Sequence, residues 1–244
     1  MDFGKDAHGR GVTFDVPAFR VALPWGKSMV RRSLIAMLGF ERKVLVNTGS
    51  VETWTDLERI LVQSGASWSD LDGAVFTSSF PWNIGAGAML KRLSPDTEFF
   101  AHPRAVNYIE NTARQEEERP VYGFYKLVAG NIHGIAPLAD GGEIDLGGET
   151  VVVRYVHGIS EDTLALYLVK RKLLIVDGSV FESEIHEDTH AGWMAKRSLA
   201  DLAQLGWKHL LTSPGGLTER AARDLIAEKI AASNTAESRM KKAG

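Results

Sequence analysis

Strand-length apolar runs in this chain come in an order that occurs twice, a meander of short β runs followed by a strand–helix unit. Val12–Val16, Phe19–Leu23, Ser33–Leu38 and Lys43–Val46 are alternating or continuous apolar runs, separated by Pro17, Pro24-Trp25-Gly26 and Gly39, the spacing of an antiparallel meander. A helix capped by Thr53 follows, with Trp54, Leu57, Ile60 and Leu61 on one face until Gly65 ends the pattern. Asp72–Thr77 then reads as a buried strand, Ile84–Leu93 as a helix and Glu98–Ala101 as a strand. The stretch Arg104–Lys126 is polar and helical in part, and its acidic run Glu116–Glu118, ended by Pro120, reads as a solvated face. A second β run, again antiparallel in pattern, starts at Ile135 and crosses the turns Gly141-Gly142 and Gly147-Gly148. It includes Val151–Val156, Thr163–Val169 and Lys172–Val176. Ser198–Leu205 is helical, His209–Thr212 is a strand, and an alanine-rich helix begins at Thr218. Two similar halves of this kind bury their apolar faces when packed as helix, sheet, sheet, helix. The expectation is one domain from about residue 8 to 234, with a polar tail over 235–244.

Composition narrows the function. Lys and Arg number 28 against 31 Asp and Glu, a formal charge of −3, so no positive surplus exists to hold a polyanion by counterion release. Nucleic acid is not an expected partner. There is no cysteine, which removes disulfides, thiolate metal sites and thiol catalysis. No apolar run reaches the length of a membrane span, and the opening MDFGKDAHGRG is polar where a signal peptide is apolar. The expected address is the cytoplasm, with the chain complete as it stands.

Five segments carry a family resemblance. KVLVNTGS (Lys43–Ser50) resembles the hydrophobic strand and Asp-Thr-Gly turn of the metallo-β-lactamase fold, and DGAVFTSSFPWNIGAGAML resembles that family's strand, HxHxDHxGG metal loop and helix. GGEIDLGGETVVVRYVHGISEDTLALYL is similar to the strand pair and Pro-Gly-His-Thr loop, KLLIVDGSVF to the strand ending in Gly-Asp, and HLLTSPGG to the final strand ending in Gly-His-Gly. All five stand in the family's order. The resemblance implies an α/β (α+β) four-layer αββα sandwich of the metallo-β-lactamase type.

The metal-binding side chains are missing from these segments. Ser78 and Phe80 stand where the resemblance places two alternating histidines, and Trp82 and Asn83 where it places the Asp-His pair. Ile159 replaces the later histidine, the bridging aspartate falls on Gly178 with Asp177 one place early, and the last histidine falls on Gly215. The Asp of the turn is Asn47. Zinc needs three or four His, Asp, Glu or Cys ligands, so no metal and no cofactor is expected. Phe80, Trp82 and Ile159 are expected to converge on the old cleft, either filling it or leaving an apolar pocket edged by Ser78, Ser79, Asn83, His157 and Asp177. The expected role is binding of a small molecule or protein, in regulation, sensing or assembly, with a second copy of the chain as one candidate partner. The alternative is a hydrolase of an ester, thioester or lactone using a rearranged metal site or a set of Ser78 or Ser79 with His157 and Asp177.

Other motifs have plainer readings. His186-Glu187-Asp188-Thr189-His190 matches HExxH, which on a helix offers two zinc ligands and a general base. Asp, Thr and the following Gly192 are poor helix formers, so an exposed loop is expected, with His186 and His190 left as an adventitious pair. Gly85-Ala86-Gly87 lacks the third glycine of a dinucleotide fingerprint and reads as close packing. His102, in Ala101-His102-Pro103, reads as a turn residue, and Trp25 as either a flap tip or a hairpin hydrophobe.

Overall fold

The computed structural model describes residues 2–5, 11–13, 18–25, 29–39, 41–63, 65–119, 128–182, 185, 189–212, 215–218 and 223–231. Alternation along the strands builds two large sheets. Strands β3 (Ala18–Trp25), β4 (Met29–Leu38), β5 (Lys43–Val46), β6 (Leu71–Val75), β7 (Glu98–Ala101) and β8 (Ile135–Pro137) form the first in that order. The β3–β4–β5 pairs are antiparallel and the rest parallel. The second sheet runs β14 (Gly215–Thr218), β13 (His209–Thr212), β12 (Leu173–Val176), β11 (Leu164–Leu168), β10 (Thr150–Tyr155), β9 (Glu143–Asp145), with only β12–β13 parallel. A small antiparallel pair, β1 (Asp2–Lys5) and β2 (Gly11–Thr13), lies beside β14 and puts regular backbone ahead of the boundary expected near residue 8. The helices in chain order are α1 (Trp54–Gln63), α2 (Pro81–Ile84), α3 (Gly87–Leu93), α4 (Pro103–Glu110), α5 (Thr112–Glu118), α6 (Ser179–Glu182), α7 (His190–Gln204) and α8 (223–231).

Side chains of successive residues leave a strand on opposite faces. Leu34, Ala36, Leu38, Val44, Val46 and Val75 of the first sheet therefore meet Val151, Val153, Leu164, Leu166, Leu173 and Ile175 of the second in one buried layer. The intervening residues, Ile35, Met37, Leu45, Ala74 and Phe76, face outward and are covered by α1, α3 and α4. On the far side Ala165, Leu174, Val176 and Leu210 pack under α7 and α8. The chain is a four-layer αββα sandwich, and its central strands read as continuous apolar runs because both of their faces are buried.

Several boundaries differ from the sequence reading. Thr53 does not cap α1: its Oγ1 donates to the Ser50 carbonyl at 3.0 Å, and a 3-10 turn, Val51–Thr53, leads into the helix. The helix expected over Ile84–Leu93 is two pieces, α2 and α3, broken at Gly85-Ala86. A Cβ on Gly87 would lie 2.3 Å from Ile132 Cδ1 and 3.0 Å from Phe76 Cζ, so this glycine is there for close approach. Ile135–Pro137 joins the first sheet rather than the second β run, because a three-residue edge strand carries no sign of its pairing partner. The helix expected from Ser198 begins eight residues earlier at His190, where the Thr189 Oγ1 accepts from Gly192 N at 3.0 Å. Gly215–Thr218 is a strand before the last helix, antiparallel to β13. Trp25 lies in β3 opposite Met29. Residues 14–17, 26–28, 120–127, 219–222 and the tail 235–244 lie outside the described residues.

Candidate functional site

The ends of β5, β6, β7 and β12 open at one edge of the sandwich, and the loops that follow them meet there. After β5, Asn47 adopts the left-handed conformation at φ 58°, which Asn tolerates better than most residues. Its side chain is fully buried. Nδ2 donates to the Leu34 carbonyl at 3.0 Å and Oδ1 accepts from Thr77 N at 2.9 Å. An aspartate here would have no proton for the Leu34 carbonyl, and burying a charge without a counter-ion is costly.

After β6, residues Thr77 to Ile84 are all buried. Asn83 Nδ2 donates to Asp177 Oδ2 at 2.5 Å and to Ser78 Oγ at 2.8 Å. Thr77 Oγ1 lies 3.4 Å from the same Asp177 oxygen, and Ser179 N donates to Asp177 Oδ1 at 2.8 Å. The backbone is clamped as well: Thr48 N donates to the Asn83 carbonyl and Ala86 N to the Gly49 carbonyl. Phe80 and Trp82 stack at 4.7 Å between centroids, 17° from parallel, with Trp82 3% exposed. Ser79 N donates to Asp162 Oδ2 at 3.0 Å, while its hydroxyl accepts from Arg119 Nη1 at 3.1 Å.

The structure thus brings Ser78, Asn83 and Asp177 together and stacks Phe80 on Trp82. Ile159 packs against the apolar layer under α7. Gly178 is buried at the start of the α6 turn, and Gly215 opens β14 opposite Thr212. His157 is exposed. Its backbone N–H donates to Ser198 Oγ at 2.9 Å and its ring meets Tyr155 edge-on. With Asp177 engaged by Asn83, Ser78 accepting from Asn83 and Ser79 accepting from Arg119, no nucleophile–base–orienter chain through His157 is assembled among the described residues.

A zinc ion does not fit this donor set. The Asn83 Nδ2, the Thr77 hydroxyl and the Ser179 backbone N–H surround one carboxylate, and Asn83 Oδ1, Ser179 Oγ and Thr212 Oγ1 are buried without a partner among the described residues; tetrahedral zinc takes nitrogen, thiolate or carboxylate from at least three residues. Among the described residues no group of three or more His, Cys, Asp or Glu is placed to hold a metal. His186 lies outside the described residues. His190 is the first residue of α7, and Thr189 before it is extended at φ −107°, ψ 151°.

Beside the filled cleft is a half-open cavity of about 650 Å³. His102 and Arg104 form one wall, Tyr155 and His157 to Glu161 a second, and His190, Ala191 and Met194 of α7 the third. His102 is only 5% exposed. It follows β7 and caps α4, its Nδ1 accepting from Arg104 N at 3.0 Å, and its ring lies 4.1 Å from that of Tyr155. Burial holds the His102 imidazole below its ordinary value of 6.5, against a smaller opposing pull from Asp162. Gly158, at φ 85°, is the contact between loop 157–163 and α7: a Cβ would come 2.1 Å from the Ala191 carbonyl oxygen. The sequence alone presents His102 as a turn residue; the one signal of a larger role is its position after a buried strand at the loop-bearing edge.

The His102 environment predicts a pH effect. The folded state resists protonation of this ring more than the unfolded state does, so the stabilisation is complete above 6.5 and is lost as pH falls below 6.5 toward the folded value. His102→Asn keeps the cap and does not titrate. Its melting temperature is expected to fall less than the wild type's on acidification below that point; parallel curves would contradict this.

The architecture has known counterparts. A metallo-β-lactamase family protein of Thermus thermophilus superposes with a TM-score of 0.69 at 17% identity, over 90% of this chain and 80% of the other. A metallo-β-lactamase HARLDQ motif mutant from Cronobacter sakazakii gives 0.72 at 14% identity, over 93% and 96%. A subclass B3 metallo-β-lactamase from a soil metagenome gives 0.63 at 16% identity, over 90% and 94%. No known family profile matches the sequence, and no curated protein matches it. The chain has the metallo-β-lactamase fold. Among the described residues no helix is long and apolar enough to cross a membrane.

Proposed function

We propose that this protein is a catalytically degenerate metallo-β-lactamase-fold protein that works without a metal, binding a small molecule at the loop-bearing edge of the sandwich in a sensing or regulatory role. The observation that carries the reading is the occupancy of the metal-loop positions: the Phe80–Trp82 stack and the Asn83–Asp177 hydrogen bond fill with protein what the fold elsewhere gives to ligands of an ion. The residues suit binding better than hydrolysis. A bound metal lowers the pKa of its water from 15.7 to about 7 and so makes the nucleophile; no side chain at these positions supplies that effect. The adjoining cavity is of the size that small-molecule sites have.

The test is a panel of p-nitrophenyl esters, lactones and thioesters, with and without added zinc or manganese. No turnover above the uncatalysed background is expected. Chelator-sensitive turnover would return the chain to the metal hydrolases. Turnover lost on mutating Ser78 or Ser79 together with His157, and indifferent to chelator, would establish covalent catalysis.

A further inference from the structure

We propose that the cavity between His102, Arg104, Tyr155, Ile159 and Met194 receives a small organic anion, its carboxylate or phosphate head on the His102–Arg104 side and its apolar body against Ile159 and Met194. This rests on the binding reading above and names the ligand class.

His102 supplies the first argument. Its Nδ1 already accepts the Arg104 N–H, so the neutral ring carries its proton on Nε2 and can donate from that atom. Burial disfavours the charged form of the ring. No hydrogen-bond partner for Nε2 exists among the described residues, although the side chain is nine-tenths buried and forms part of the cavity wall. Nε2 is open to the cavity rather than sealed off, so a molecule that enters can accept from it.

Two further features have the same sign. The Arg104 guanidinium stands at the mouth, 2.8 Å from Glu161, in a pair whose members are both more than half exposed. A pair so exposed holds weakly, and its guanidinium can turn to a ligand that offers two oxygens. Helix α7, fifteen residues long, starts at the cavity with His190 and Ala191 in its wall. Thr189 Oγ1 takes the Gly192 N–H, which leaves the first N–H groups of the helix, at His190 and Ala191, without an intrahelical acceptor, and the helix dipole favours negative charge there. Ile159, Ala191 and Met194 give the apolar surface that an inorganic ion would not need. Among the described residues Glu161 is the one acidic group in the wall, and a ligand head would displace it from Arg104; the Asp162 carboxylate, which also acts on His102, is engaged by Ser79 N.

Phenylacetate, phenyl phosphate and the neutral phenylacetamide distinguish the possibilities, with binding to the full chain followed by calorimetry and by NMR shift changes. At least one anion is expected to bind ten-fold or more tightly than phenylacetamide, and the preferred one identifies the head group. His102→Asn, which retains the acceptor for Arg104 N, should weaken that anion by about ten- to a hundred-fold, as loss of a charge-assisted hydrogen bond does. Arg104→Gln should weaken it also, and Glu161→Gln should strengthen it. Equal affinity for the amide would overturn the anion assignment while leaving small-molecule binding in place. Failure of all three probes to bind would overturn both. Anion binding indifferent to His102→Asn and Arg104→Gln would place the anion elsewhere and overturn this site.

Discussion

Truncating Trp82 to alanine is expected to lower the unfolding free energy by about 3–5 kcal/mol, the range for deleting a large buried aromatic. Trp82 is 3% exposed and stacked on Phe80, so the change removes both apolar burial and a ring pair and leaves a hole where a loop meets two sheets. Urea unfolding of the variant checks this. Were Trp82 instead lining an open pocket, its truncation would shift the midpoint little and change ligand binding. A loss below about 1 kcal/mol would mean that the cleft is not filled as described.

Asn83→Ala is expected to cost about 1.5–3 kcal/mol, through a different mechanism. Asp177 is 4% exposed with no cation within salt-bridge distance among the described residues, and its shortest hydrogen bond is the one from Asn83. Removing that donor leaves a buried carboxylate underpaired, which costs the desolvation of a charged group. A double-mutant cycle with Asp177→Ala isolates the pair. The double variant should be less destabilised than the sum of the two single ones, by about 0.5–3 kcal/mol. Strict additivity would show that the two side chains do not depend on each other.

The fold is legible in the sequence because both faces of its central strands are buried. Runs such as Leu34–Leu38 and Leu164–Leu168 announce themselves by unbroken apolarity, and their order fixes the layers. The pairing of short or glycine-rich strands is not legible. Ile135–Pro137 and Gly215–Thr218 have little side-chain pattern, and only long-range backbone hydrogen bonds assign them. The absence of His, Asp, Glu and Cys at Ser78, Phe80, Trp82, Asn83, Ile159, Gly178 and Gly215 can be read directly from the sequence. How those residues pack cannot. That Phe80 stacks on Trp82 and Ile159 packs under α7 depends on which way each loop turns, and Gly158 decides the second of these by letting its loop touch the helix backbone. His102 escapes a sequence reading because its role is spatial: three segments far apart in the chain enclose it. The start of α7 escapes it because Gly192 reads as a breaker, whereas in a first turn capped by Thr189 its cost is small.

Metal content tests most directly whether side chains of this chain occupy the place of the fold's metal site. Protein purified without chelator, dialysed against metal-free buffer and then titrated with zinc in the presence of a chromophoric competitor should show no stoichiometric site. Zinc taken up should be substoichiometric and removed by dialysis. One zinc, iron or manganese per chain that survives dialysis would contradict the account, because such retention requires the coordinated set of ligands that Ser78, Phe80, Trp82 and Asn83 do not provide.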